Sequence, residues 1–237
     1  MQRYFAINKD NDKLILKESD IHHIKKVMRM KIGDKIEVIY NKINYLCEID
    51  NLDSFNIKIL EIQDEDNEMD LDVTIAIGLV KEQKMDLILQ KLTELGIKKI
   101  IPLKMERSIV KLDDNKYKKK LERWNSICKE ASEQSHRNII PEITNQMTIS
   151  ELLKLDYDDK YVCSTIEEDN LLVNYIEKIS KCDRIIFVIG PEGGISSNEE
   201  EKLITNGYIP VSFGNRILRV ETAAIFIASI LNICSKR

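Results

Sequence analysis

Arg184-Ile185-Ile186-Phe187-Val188-Ile189-Gly190-Pro191-Glu192-Gly193-Gly194, followed by Tyr208-Ile209-Pro210-Val211-Ser212-Phe213-Gly214-Asn215-Arg216-Ile217-Leu218-Arg219-Val220-Glu221-Thr222-Ala223, decides how this chain folds. Each stretch opens with a short apolar run of the length of a buried strand, passes through glycine, and leads into a helix-like pattern. Two strand-to-helix turns therefore stand close together. Glycine lets backbone approach a ligand, and a helix start offers N–H groups with no partner inside the helix. The pair predicts a cofactor site built largely from main chain.

The first turn leads into Ser196-Ser197-Asn198-Glu199-Glu200, which offers a capping box in either of two registers, Ser196 with Glu199 or Ser197 with Glu200. A tight turn that merely carries glycines is the plain alternative. A phosphate-binding P-loop is disfavoured because no Lys-Ser/Thr pair follows the glycines. The G-x-G-x-x-G of ordinary dinucleotide and methyltransferase sites is also missing. After the second turn, Ala223 to Ile233 reads as a helix without a clear polar face, which suits a core helix, a subunit interface, or both. Glu221 falls near its N-terminus, where the helix dipole stabilises a carboxylate by about 0.3 to 1 kcal/mol.

Upstream the rhythm is strand, helix, strand, helix, which predicts a parallel sheet. Val73 to Leu79 reads as a buried strand, Lys84 to Leu95 as a helix closed by Gly96, and Lys99 to Leu103 as a strand. A long helix over about Lys116 to Gln134, a strand over Tyr161 to Ser164 and a helix near Leu171 to Lys178 complete the alternation. The first 63 residues differ. Arg3 to Ile7, Lys13 to Leu16, Lys35 to Tyr40, Asn44 to Ile49 and Phe55 to Ile62 alternate as short strands, interrupted by one helix over Ile21 to Met30 with Ser19 as N-cap. Such spacing predicts a small barrel, with the acidic stretch Gln63 to Glu68 as linker and no internal repeat.

At 237 residues and 43% hydrophobic content the chain can bury one large core or two modest ones. No apolar run reaches the roughly 18 to 20 residues of a membrane span, and no secretory segment opens the sequence, so a cytoplasmic location is expected. Cys47, Cys128, Cys163, Cys182 and Cys234 are odd in number and widely spaced, which predicts reduced, mostly buried thiols. His22, His23 and His136 lack partners at metal-ligand spacing, so no metal is expected. The net charge of -4 hides local excess: Lys98 to Arg137 carries twelve basic and six acidic residues. Lys25, Lys26, Arg29, Lys31 and Lys35 are opposed only by Asp34. Attraction is felt over a Debye length of roughly 10 Å, so such surfaces suit a phosphate-rich partner even on an acidic protein. A solvated helix face is the plain reading of Lys116 to Lys120, and of the face bearing Glu130, Gln134 and Arg137.

Taken in order, Arg3-Tyr4-Phe5, His22-His23 through Val27-Met28-Arg29 to Gly33-Asp34, Gln90 to Ile97, Arg107-Ser108, Glu130-Ala131-Ser132-Glu133-Gln134 with Arg137, Ile189 to Gly194, and Gly214 through Thr222-Ala223 closely resemble one bacterial family. It is the RsmE-type uridine N3-methyltransferases of small-subunit ribosomal RNA, within the SPOUT superfamily of trefoil-knotted methyltransferases. Met28 and Phe213 stand where that family more often has Leu, and Ile195 where it often has Phe, departures that touch only local packing. The resemblance implies an α/β fold: a PUA-like RNA-binding β-barrel over residues 1-68 and a trefoil-knotted methyltransferase domain over 69-237. It implies S-adenosylmethionine as cofactor, a homodimer, and 16S rRNA of the small ribosomal subunit as partner, with the uracil at position 1498 of the decoding region as target. Cofactor binding falls on Ser164, Ile189, Gly190, Pro191, Glu192, Gly193, Gly194, Phe213, Gly214, Ile217, Leu218, Arg219, Thr222 and Ala223. RNA contact falls on Arg3, His23, Lys25, Arg29, Arg107 and Arg137.

The chemistry adds its own demand. Uracil N3 carries a proton at neutral pH and becomes nucleophilic only when that proton leaves, so a positive group should stabilise the anion. Each pKa unit gained this way is worth about 1.4 kcal/mol. Arg219, Arg3 or Arg137 could supply the charge, and Glu221 is the candidate base or base-orienting group. Neither a nucleophilic cysteine nor a metal is required. Two rivals remain: a SPOUT methyltransferase acting on transfer RNA or another ribosomal site, and a non-catalytic RNA-binding or assembly protein.

Overall fold

A computed structural model describes residues 1–11, 13–179 and 184–235, which leaves the expected thiol Cys182 outside the described residues. The chain divides into two compact units, Met1–Glu68 with Lys129–Ile139, and Met69–Cys128 with Ile140–Arg237.

The first unit contains β1 (Gln2–Phe5), β2 (Asn8–Asp10), β3 (Lys13–Ile15), α1 (Glu18–His22), β4 (Lys35–Tyr40), β5 (Ile43–Asn51) and β6 (Asn56–Gln63). β4, β5 and β6 pair antiparallel, β1 pairs parallel with β4, and β2 and β3 form a separate hairpin. No ladder among the described residues joins the hairpin to the four-stranded sheet, so the expected barrel is closed by side chains rather than by a continuous ring of hydrogen bonds. Those side chains include Tyr4, Leu14, Ile24, Ile36, Val38, Cys47 and Ile49. The helix begins earlier than the spacing predicts. Glu18 is its first residue and Lys17 its N-cap, without a side-chain bond, because an ammonium has no acceptor to offer the free N–H groups; Ser19 lies inside the helix instead of capping it. From His23 to Val27 the helix widens into a π-type turn.

The second unit contains β7 (Asp72–Gly78), α2 (Glu82–Glu94), β8 (Lys99–Lys104), the greater part of α3 (Asp114–Gln134), β9 (Glu142–Ile143), β10 (Met147–Thr148), α4 (Ile149–Leu152) and β11 (Asp159–Cys163). A 3-10 turn (Leu172–Tyr175), α5 (Ile176–Ile179), β12 (Arg184–Ile189), α6 (Ser197–Thr205), β13 (Ile209–Val211) and α7 (Val220–Cys234) follow. The sheet is parallel throughout, in the order β10-β8-β7-β12-β11-β13, with β9 also on β8. It is buried on both faces. Val73, Ile75, Ile77, Ile185, Phe187 and Ile189 face one core with α2 and α7, while Ala76, Ile186 and Val188 face another with α4 and α6. That alternation explains why the strands read as continuous apolar runs.

Helix ends follow the local sequence. Gly96 N–H bonds to the Thr93 carbonyl at 3.0 Å and Ile97 N–H to the Leu92 carbonyl at 3.0 Å, the paired bonds that stop α2. Asp113 accepts the Lys116 N–H at 2.9 Å and starts α3 two residues before the lysine-rich pattern does. The predicted helix near Leu171 is a 3-10 turn followed by a single α turn. α7 is one-sided rather than buried all round: Ala224, Ile227, Ala228 and Leu231 are fully enclosed, whereas Phe226 is 40% and Ile233 83% exposed.

Candidate active site

β12, β11 and β13 are parallel neighbours, so the loops leaving their carboxyl ends converge at one edge of the sheet, where open α/β sheets bind ligands. They enclose a cleft of about 510 Å³. Cys163, Ser164, Thr165, Glu167 and Glu168 line it from the loop after β11, and Ile189, Gly190, Pro191, Gly194 and Ile195 from the turn after β12. Glu200 of α6, the run Ser212 to Leu218, and Val220 and Ala223 of α7 complete the wall.

Of the residues expected to bind a cofactor, Ser164, Ile189, Gly190, Pro191, Gly194, Phe213, Gly214, Ile217, Leu218 and Ala223 are among these, and Glu192, Gly193, Arg219 and Thr222 are not. Glu192 turns away to Lys84, whose Nζ lies 3.5 Å from its carboxylate. Gly193 faces protein: a Cβ there would stand 2.9 Å from both the carbonyl oxygen and the Cβ of Arg107. Arg219 is the N-cap of α7 with its side chain exposed, and Thr222 is exposed in the first turn.

The first turn is fastened from below. The capping box adopts the Ser196 register: Glu199 N–H donates to Ser196 Oγ at 3.2 Å, and Ser196 N–H donates to Glu199 at 3.1 Å. Glu199 also accepts the Glu106 N–H at 2.9 Å, and Arg107 donates to the Ile195 carbonyl at 3.2 Å. Hydrogen bonds from Ser196 and Asn198 hold the Glu106 carboxyl below the usual carboxylate range. Arg107, expected to contact RNA, therefore spends part of its guanidinium on this turn. Burial pushes the Cys163 thiol up, the opposite of what a nucleophile needs.

Lys84 was not legible as a site residue. Its Nζ lies 3.4 Å from Glu221 Oε2 as well as 3.5 Å from Glu192, so one ammonium joins the glycine turn to the first turn of α7. Glu221 is mostly buried, ion-paired with Lys84 and outside the cleft wall.

Two residues expected to contact RNA, Arg3 and Arg137, are buried in the first unit. Arg3 is buried: Nε donates to Glu37 at 2.7 Å, Nη1 to the His136 carbonyl at 2.5 Å and to Asn138 Oδ1 at 2.9 Å, and Nη2 to Glu65 at 3.1 Å. Arg137 is also buried, 2.6 Å from Glu68. Both guanidiniums are engaged within the protein rather than presented on its surface. His23 bonds through Nδ1 to the Tyr4 hydroxyl at 3.0 Å, Lys25 sits 5.7 Å over the Phe55 ring, and Arg29 is exposed. Among the described residues no three His, Cys, Asp or Glu side chains are grouped to hold a metal, and no helix is long and apolar enough to cross a membrane.

Sequence comparison matches residues 67–232 to an RNA methyltransferase domain and residues 16–60 to an RNA methyltransferase PUA domain. Parallel sheet, cleft and match together define an α/β RNA methyltransferase with a PUA-like domain. Ribosomal RNA small subunit methyltransferase E of Bacillus subtilis (strain 168) is 37% identical over 90% of this chain and 87% of its own length, and that of Buchnera aphidicola subsp. Schizaphis graminum is 36% identical over 94% and 91%. The chain belongs to the ribosomal RNA small subunit methyltransferase E family. Among solved structures, the Neisseria gonorrhoeae member bound to S-adenosyl methionine superposes with a TM-score of 0.88 at 28% identity, covering 98% of this chain and 97% of that one. A Legionella pneumophila methyltransferase in complex with the same cofactor gives 0.90 at 27% identity, over 98% and 97%.

Proposed function

We propose that this protein uses S-adenosylmethionine to methylate N3 of a uridine in 16S rRNA, the uracil at position 1498 by family resemblance. The observation that carries the reading is the meeting of both glycine-bearing turns in one cleft. The lining suits the cofactor: apolar Ile189, Ile195, Phe213, Leu218 and Val220 for an adenine ring, main chain of the two turns for its polar edge, and Arg216, Glu168 and Glu200 for a charged tail. The bound cofactor supplies an electrophilic methyl group on a cationic sulfonium. Arg219, the exposed N-cap of α7 between Leu218 and Val220 in the chain, stabilises the N3 anion as its proton passes to solvent water. The N3–methyl bond then forms as the sulfur–methyl bond breaks, leaving a neutral thioether. Lys84 and Glu221 hold the two turns in register.

The proposal extends to a trefoil knot, which α7 favours by returning from the edge strand β13 to pack on α2 and β12. It includes a homodimer, a cytoplasmic setting, and a division of labour in which residues 1–68 bind RNA and 69–237 carry the cleft. Calorimetry with S-adenosylmethionine, followed by mass mapping of small-subunit RNA from cells with and without the gene, tests it. No heat of binding, or an unchanged methylation map, would refute it.

Two substitutions probe the cleft. Gly193→Val drives a branched side chain into the Arg107 backbone, an overpacking worth about 1 to 3 kcal/mol. Stability to urea should fall, and cofactor binding should fall with it because the turn shifts; wild-type stability with lost binding would mean that Gly193 faces ligand instead. Glu200→Gln removes a cleft carboxylate that no cation pairs among the described residues. It should weaken the cationic cofactor about tenfold while leaving the neutral thioether product nearly unchanged, since only the former carries the sulfonium charge. Equal losses for the two ligands would place Glu200 elsewhere in the site.

A further inference from the structure

Between α1 and β4 the chain leaves the π-type turn at Val27, bends through Arg29 with φ of +52°, and reaches β4 at Lys35. Ile21, Ile24 and Met30 turn into the core of the first unit. Val27, Met28 and Ile32 do not: they are 60%, 39% and 64% exposed. The same stretch carries Lys25, Lys26, Arg29, Lys31 and Lys35, none ion-paired among the described residues. The acid among them, Asp34, is occupied by the Lys31 N–H at 2.7 Å.

A solvated face does not require three exposed aliphatic side chains between five cations, nor a left-handed arginine and a π-turn, both uncommon geometries that gather at functional sites. We infer that Val27, Met28 and Ile32 form an apolar grip for unpaired nucleotides of the RNA substrate, with the surrounding cations on its phosphates. The inference rests on the proposed reading of the chain as an rRNA methyltransferase. Charge favours a polyanion as occupant. Duplex RNA hides its base faces by stacking, whereas an unpaired strand offers them to apolar side chains. The reaction itself needs an unpaired base, because N3 lies on the Watson–Crick edge and is engaged in any pair.

The test uses the full chain and two short probes of one sequence, a uridine-containing single strand and its duplex. Val27→Ser/Met28→Ser/Ile32→Ser should bind the single strand about tenfold more weakly at every salt concentration, with the slope of log affinity against log salt unchanged and duplex affinity intact. Lys26→Gln/Arg29→Gln/Lys31→Gln should instead reduce the slope. If the triple serine chain fails to fold by circular dichroism, the three single variants carry the same comparison. Unchanged single-strand affinity, an equal loss on duplex, or a mass by light scattering that differs from wild type, as for a surface shared between copies, would each overturn the inference. A wild-type chain that binds neither probe and transfers no methyl group would bring down the proposed function as well, which separates the two failures.

Discussion

Arg219→Ala is expected to lower single-turnover methyl transfer by about 10² to 10³ while leaving cofactor affinity within about twofold. The asymmetry follows from when the charge is needed. A guanidinium that stabilises the N3 anion acts on a species absent from the ground state, so its loss falls on the rate rather than on binding. Arg219 has no side-chain partner among the described residues and stands between two residues of the cleft wall, so its removal leaves no buried acid behind. The measurement is a quench time course with labelled cofactor, beside calorimetry on the same preparation. Wild-type rates would transfer the burden to Arg216, the other exposed arginine of this loop, which lines the cleft itself. Glu221→Gln makes the companion comparison. Ion-paired with Lys84 and outside the cleft wall, Glu221 is placed to orient rather than to accept the proton, so its variant and Lys84→Met should lower the rate alike and keep the shape of the pH–rate profile. Loss of an ionisation limb in Glu221→Gln alone would restore it as the base.

Arg3→Ala is expected to destabilise the first unit by about 3 to 5 kcal/mol, the usual cost of stranding a buried partner. Among the described residues Glu37 would lose its bond at 2.7 Å and keep His136, 3.3 Å away. The Asn138 side chain and the His136 carbonyl would each lose a donor in the same change. Urea denaturation followed by a probe in that unit measures the loss as a lower midpoint. An unchanged midpoint with weakened RNA binding would return Arg3 to the surface role that its place in the sequence suggests.

Arg3 marks the limit of what the sequence discloses. A conspicuous arginine beside an aromatic suits an RNA contact, and nothing local shows that two of its partners, His136 and Asn138, lie more than a hundred residues away. The strands of the sheet and both glycine turns were legible because apolar runs, glycines and a capping box are signals within a few residues of each other. Ten of the fourteen expected cofactor residues line the cleft for that reason. The exceptions, Glu192, Gly193, Arg219 and Thr222, depend on which way one side chain or one Cα points, and Lys84 gains its place only when two distant turns fold against one ammonium. β9, β10 and α4 escaped because two to four residues are too few for periodicity, although Thr148 and Glu151 form a complete capping box.

The first unit takes its last piece, Lys129–Ile139, from far along the chain, and Arg3 bonds to Asn138 across 135 residues. During synthesis that makes the beginning of the protein wait for residues that emerge well after it. When Glu68 leaves the ribosome its acceptor atoms still await Arg137, and at about 5 to 20 residues per second the missing residues emerge some seconds later. Throughout that interval Glu68 stands without Arg137 and Arg3 has only Glu37 and Glu65 of its native partners, so the nascent first unit is exposed to chaperones and proteases. A break in translation between codons 69 and 128 would therefore release a fragment carrying the whole N-terminal sheet sequence but without the segment that completes its charge pairs.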